Sequence, residues 1–283
     1  METSWLDREA WPWRPRWFDG GEGRLHYVDE GEARPVLMSH GTPTWSFEWR
    51  HLIRGLAPDR RVIAVDHLGF GLSDRPAEAG YAPEDHARRF SAFADHLDLR
   101  DVTVVVHDYG GPIALPWVLD HLDRVARLVV VNTWAWPLDD PRFVRPSRML
   151  DGAVGRWLYG VANLSLSVIA PSAWADRRRW RAVADQYRAV FPDRESRVRV
   201  LWPLARALHG SRGFYASLES RLGELEGVPV DVVWGLADSA FTVEERDGWL
   251  ARVPHARALN LADAAHWPHE EAPERIVAHL RAQ

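Results

Sequence analysis

Three side chains suited to covalent hydrolysis stand in this chain in a workable order: Asp108, Asp238 and His266. Asp108 lies in Val-Val-Val-His-Asp-Tyr-Gly-Gly, residues 104–111. The β-branched run Val102, Val104, Val105 and Val106 reads as a buried parallel strand. Gly110 and Gly111 permit a sharp turn, and Pro112 suits the first turn of the helix that follows. Strand, tight turn and helix together expose one side chain at the carboxyl end of a sheet. A serine there would attack a carbonyl and form an acyl ester. An aspartate instead displaces a leaving group from an sp³ carbon and becomes an alkyl ester. The expected chemistry is cleavage of a carbon–halogen bond or an epoxide.

The remaining groups fit the second half of such a reaction. His266, in Asp263-Ala264-Ala265-His266-Trp267-Pro268, follows the last strand. A neutral imidazole there can take a proton from the water that hydrolyses the ester. His269, three residues on, is expected at the surface. Asp238, in Val-Trp-Gly-Leu-Ala-Asp, is placed to accept a hydrogen bond from His266 and stabilise its imidazolium. Asp139 and Asp140, after the preceding strand, are rivals for that role. Ser39-His40-Gly41-Thr42-Pro43 follows an apolar strand and suits an oxyanion loop. Its donors would be the backbone N–H groups of Thr42 and Tyr109.

The elements that must position these groups alternate between strand and helix, which predicts an α/β fold with a mostly parallel central sheet flanked by helices. Expected strands are Leu25–Val28, Pro35–Ser39, Arg61–Asp66, Val102–His107, Leu128–Asn132, Val230–Trp234 and Ala256–Leu261. Expected helices include Trp49–Leu56, Pro83–Leu97, Pro112–Leu122, Glu244–Val253 and Pro273–Arg281. Strand signals vanish between Trp134 and about Leu225, where Trp, Arg and Ala recur at helical spacing. This predicts a core of residues 1–134 and 226–283 with an inserted helical cap, 135–225, roofing a pocket and excluding water.

Composition narrows the classes. The chain has 283 residues and a net charge of −5, with acidic and basic residues intermixed. Neither nucleic acid nor a membrane is an expected partner. No apolar leader begins the sequence, so a cytoplasmic protein is expected, monomeric or homodimeric. There is no cysteine, and all 35 basic residues are arginine, which removes thiol nucleophiles, Schiff-base lysines and a P-loop lysine. No histidine spacing suggests a metal, and no cofactor is expected.

The segments His40-Gly41-Thr42-Pro43-Thr44-Trp45-Ser46, Asp66-His67-Leu68-Gly69-Phe70-Gly71-Leu72-Ser73-Asp74, His107-Asp108-Tyr109-Gly110-Gly111, Trp234-Gly235-Leu236-Ala237-Asp238 and Ala265-His266 resemble those of haloalkane dehalogenases, members of the α/β-hydrolase superfamily. The resemblance implies Asp108 as nucleophile, His266 as base and Asp238 as supporting acid. It also implies a cofactor-free reaction in which a small apolar haloalkane and water give an alcohol, a halide ion and a proton. Trp202-Pro203 resembles the family's aromatic–proline pair near the halide. Two positions depart from the family: Tyr109 stands where a halide-binding tryptophan is usual, and Thr42 where an asparagine is common. Their hydroxyls can still donate to an anion, and Trp134 or Trp202 are substitutes to watch. An epoxide hydrolase is the alternative; such enzymes protonate the opening oxygen with cap tyrosines, and the cap offers Tyr159, Tyr187 and Tyr215. Tyr187 is read first as structural. A weakly active ligand-binding protein that kept the fold is the third reading.

Overall fold

The computed structural model of the protein describes residues 3–282. Its valine-rich runs lie side by side in an eight-stranded sheet: β1 (Arg16–Asp19), β2 (Arg24–Glu30), β3 (Pro35–Ser39), β4 (Arg61–Val65), β5 (Val102–His107), β6 (Val125–Val131), β7 (Val230–Gly235) and β8 (Arg257–Leu261). The spatial order is β1-β2-β4-β3-β5-β6-β7-β8. The pairs β1–β2 and β2–β4 are antiparallel, and every other pair is parallel. Val104, Val105 and Val106 are fully buried. Each such side chain contributes about 1.5–3 kcal/mol by leaving water, and this is why β5 sits at the centre. The sequence reading missed β1, a four-residue edge strand whose residues alternate too little to signal burial.

Chain order reverses between β3 and β5. At such a point the loops leaving the carboxyl ends of adjacent strands part and open a crevice. Ser39 pairs with Val106 across this junction. The loop after Ser39 and the turn after His107 are therefore neighbours, which brings Thr42 to Asp108.

Helices α1 (Arg50–Leu56), α2 (Pro83–Leu97) and α3 (Gly110–Asp120) flank the sheet, with further helices at Val243–Arg252 and Pro273–Arg281. α3 starts at Gly110 rather than Pro112, because the turn after Asp108 passes directly into the helix. Between β6 and β7 the regular elements are all helical, beginning with α4 (Pro141–Leu150) and α5 (Ala153–Gly160). A buried polar contact ties this segment to the core: the Tyr187 hydroxyl donates to Glu270 (2.5 Å), whose other oxygen accepts from Arg50 (2.7 Å). Tyr187 is thus structural.

Candidate active site

Asp108 leaves β5 with a φ of 48°, in the left-handed region. A non-glycine residue there costs about 1–3 kcal/mol, so its surroundings must hold it. They do so by close approach. A Cβ on Gly110 would stand 2.1 Å from the Ser39 carbonyl oxygen, and one on Gly41 would stand 2.3 Å from the Asp108 Cβ. The Thr133 hydroxyl donates to the Asp108 carbonyl. The result is a carboxylate held against the β3 loop, with its Oδ1 accepting from the Thr42 N–H at 2.8 Å.

The other oxygen of Asp108 faces His266. Oδ2 lies 3.6 Å from His266 Nε2, and the opposite ring nitrogen, Nδ1, lies 2.8 Å from Asp238 Oδ2. Burial disfavours the imidazolium, but Asp238 and Asp108 on its two sides outweigh it and push His266 up to about 10. Asp238 is itself held ionised. Burial opposes this, and His266, the Ala240 N–H and the Asn132 amide together overcome it, lowering its pKa. Of the three candidate aspartates Asp238 is the one that contacts His266, since Asp139 pairs with Arg212 at the surface and Asp140 caps α4.

Asn132 escaped the sequence reading. Its amide nitrogen donates to Asp238 Oδ2 at 2.8 Å, and its amide oxygen accepts from the Gly235 N–H at 2.9 Å. It therefore stitches the end of β6 to the turn that carries Asp238. Only the adjacency of β6 and β7 reveals this. The one available signal was an asparagine directly after a buried strand, a place that favours positive φ, and here φ is 36°.

A cavity of about 360 Å³ opens in front of Asp108 and His266. Its wall combines Thr42 and Tyr109 from the core with Phe143, Pro146, Tyr159, Ile169, Leu201 and Leu208 from the helical segment, and Phe241 and Trp267 beyond it. Arg142 reaches this wall but is neutralised by Glu244 and Glu245. The surface offered to a ligand is mostly apolar.

Several expected pocket residues lie elsewhere. Trp134, Trp202 and Pro203 are not in the wall. Trp202 turns its indole N–H to the Leu150 carbonyl at 2.7 Å, closing the end of α4. Trp134 is fully buried, edge-on to Tyr109 and stacked on Phe241. Tyr109 lines the cavity, but its hydroxyl donates to the Leu204 carbonyl. The Thr42 hydroxyl oxygen is buried without a hydrogen-bond partner among the described residues.

His269 is fully buried, not exposed as expected, packed at a tilt against Trp49 with ring centres 4.4 Å apart. Burial, with His107 nearby, pulls its pKa down to about 4. Together with Glu48 and His107 it forms a group whose metal-type donor atoms lie within 4.8 Å of one another. Both nitrogens of His107 are already engaged, Nδ1 with Glu48 at 3.1 Å and Nε2 with the His266 carbonyl at 2.8 Å. The three lie behind the catalytic-type pair and outside the cavity wall.

An aspartate on a strained elbow, a paired imidazole and an amide loop beside a topological reversal define a class. Residues 34–273 match the alpha/beta hydrolase fold family, and the chain belongs to it. Within that family it is haloalkane-dehalogenase-like. It is 36% identical over 276 residues to haloalkane dehalogenase 2 of Mycobacterium tuberculosis (strain ATCC 25618 / H37Rv), covering 96% of this chain and 95% of that one. It is also 32% identical over 276 residues to the cis-3-alkyl-4-alkyloxetan-2-one decarboxylase of Xanthomonas campestris pv. campestris, covering 91% of each. The crystal structure of the haloalkane dehalogenase DatA from Agrobacterium tumefaciens C58 superposes with a TM-score of 0.83 at 26% identity, covering 95% of both chains.

Proposed function

We propose that the protein hydrolyses the carbon–halogen bond of small apolar haloalkanes through an ester on Asp108. The observation that carries this is a carboxylate, in place of a hydroxyl, at the elbow, with His266 Nε2 3.6 Å from its free oxygen. The apolar cavity and the similarity to haloalkane dehalogenases support it.

In the first step Asp108 Oδ2 attacks the halogen-bearing carbon from behind. The C–O bond forms, the C–X bond breaks, and the electron pair leaves with the halide. The Thr42 N–H marks Oδ1 as the future carbonyl oxygen. Esterification removes the negative charge of Asp108, and with it one of the two anions that keep His266 protonated. The imidazole can then release its proton and act as a base: the nucleophile's own reaction prepares it. In the second step a water gives a proton to His266 Nε2 and its oxygen adds to the Asp108 carboxyl carbon. The Thr42 and Tyr109 N–H groups hold the resulting oxyanion. Collapse expels the alcohol, which takes the proton back from His266. The regenerated Asp108 carboxyl then passes its proton to His266 and restores the resting ion pair, so the one proton released is that lost by His266 after esterification, and the sum is haloalkane and water to alcohol, halide and a proton. The helical segment roofs the site as a cap and keeps bulk water from competing.

The test is halide release from short bromo- and iodoalkanes, wild type beside Asp108→Ala. Release lost in the variant supports the reading. The similarity to oxetanone decarboxylases supports a second one, in which the same carboxylate attacks a strained dialkyl lactone. Loss of carbon dioxide from a cis-3-alkyl-4-alkyloxetan-2-one, with no halide release from any haloalkane, would select it.

A further inference from the structure

We propose that His107 is a positioning residue that fixes where His266 stands, and that Glu48 holds it to that task; the inference rests on the reaction proposed above. His266 needs a tether. It lies between the end of β8 and the helical turn that opens at Pro268, outside any regular element. Asp238 turns its ring, but a bond to the ring alone does not set the distance from Nε2 to Asp108. The backbone of His266 is tied twice. Its N–H donates to the Ala173 carbonyl of the helical segment at 3.1 Å, and its carbonyl accepts from His107 Nε2 at 2.8 Å. The second tie runs to the residue directly before Asp108, so it joins the base to the elbow that carries the nucleophile.

Glu48 makes that second bond obligatory. A histidine with one ring proton can give it to either side. Here Nδ1 faces Glu48 Oε1 at 3.1 Å and Nε2 faces a carbonyl, and both are acceptors. An imidazole that satisfies both carries a proton on each nitrogen. Burial opposes the charge on Glu48, but the facing His107 outweighs it and holds the carboxyl well below its ordinary range. The other Glu48 oxygen accepts from the Thr44 hydroxyl, in the loop that carries Thr42. One buried carboxylate thus connects the three segments that bring Thr42, Asp108 and His266 together. Glu48 and His107 are fully buried and do not line the cavity, so they act through His266 and not on substrate.

The two steps of the reaction should therefore respond differently. Ester formation needs Asp108, which the Thr42 N–H and the Thr133 hydroxyl hold without help from His107. Hydrolysis needs His266 Nε2 at the ester, where a shift of about 1 Å costs about 100-fold.

The experiment compares His107→Asn with His107→Gln. The asparagine amide reaches about as far as Nδ1, so it keeps the bond to Glu48 and loses the one to His266. The glutamine amide reaches about as far as Nε2 and does the reverse. Single turnovers with bromobutane report ester formation as bromide release and hydrolysis as butanol release. His107→Asn should form the ester near the wild-type rate and hydrolyse it about 10- to 100-fold more slowly. The alkyl adduct on Asp108 should then accumulate, as read by intact-protein mass spectrometry. His107→Gln should recover most of the hydrolysis rate. Stability should rank the other way, because the asparagine keeps the bond to a charged partner. Hydrolysis that follows stability, or an equal loss from both steps in His107→Asn, would overturn the proposal. Imidazole ¹⁵N spectra of the wild type, which need no variant to fold, should show His107 with two ring N–H groups; one unprotonated nitrogen would overturn it as well. A wild type that forms no ester on Asp108 sinks the proposed reaction. Wild-type ester formation together with normal hydrolysis in His107→Asn removes only this inference.

Discussion

Replacing Asp108 with asparagine keeps the side chain's shape and removes the charge that faces His266 Nε2, 3.6 Å away. In the proposed reaction esterification of Asp108 removes the same charge, so the variant mimics the electrostatics of the proposed intermediate. Two unit charges about 4 Å apart interact by about 4 kcal/mol at an effective dielectric of about 20. At about 1.4 kcal/mol per pH unit, that brings the His266 midpoint from about 10 down to about 7 in Asp108→Asn. The assay is ¹⁵N NMR titration of the imidazoles, with His266 assigned by its absence in His266→Phe. Stability gives an independent check. The folded-state value is raised above the unfolded one of about 6.5, so the stabilisation from His266 is complete below that pH. It is lost as pH rises through about 10 in the wild type. Wild-type stability should therefore fall with pH across that window, and Asp108→Asn should lose little there. Equal midpoints in the two proteins, or a wild-type midpoint at the ordinary histidine value, would refute the idea that esterification releases the base.

Three further outcomes follow from the geometry. Asn132→Ala leaves Asp238 and the Gly235 N–H each short of a buried partner; a stability loss of about 2–3 kcal/mol in urea unfolding, with a lower turnover rate, is expected. Gly41→Ala drives a methyl against the Asp108 Cβ, 2.3 Å away; overpacking of about 1–3 kcal/mol, seen as a lowered Tm, should accompany loss of halide release. Tyr109→Phe removes the hydrogen bond to the Leu204 carbonyl and should cost about 0.5–1.5 kcal/mol of stability, while halide release persists.

Much of the site was legible in the sequence because it follows local rules. The valine run, the paired glycines and the aspartate between them define the elbow without tertiary information, and the helices Pro83–Leu97 and Pro273–Arg281 have the expected ends. The pairing of Asp238 with His266 was readable from strand order. What failed depends on packing between distant elements. His269 reads as a surface residue because it sits among Glu270 and Glu271, yet Trp49 and Glu48 enclose it. Trp202 looked like a pocket residue by its dipeptide, but the end of α4 captures its indole. Tyr159 and Asn132 owe their placement to how α5 and β7 meet the rest of the molecule, which periodicity does not encode. Whole-chain hydropathy was equally silent on the cavity, since its wall is drawn from several separate helices.

The most direct test of the covalent reaction is intact-protein mass spectrometry of His266→Phe after incubation with a short bromoalkane, followed by peptide mapping. Without its base the second step stops, and the proposed reaction requires a stoichiometric alkyl adduct on the peptide carrying Asp108, absent in the Asp108→Asn/His266→Phe double variant. An adduct on another residue, or none while the wild type releases bromide, would contradict it.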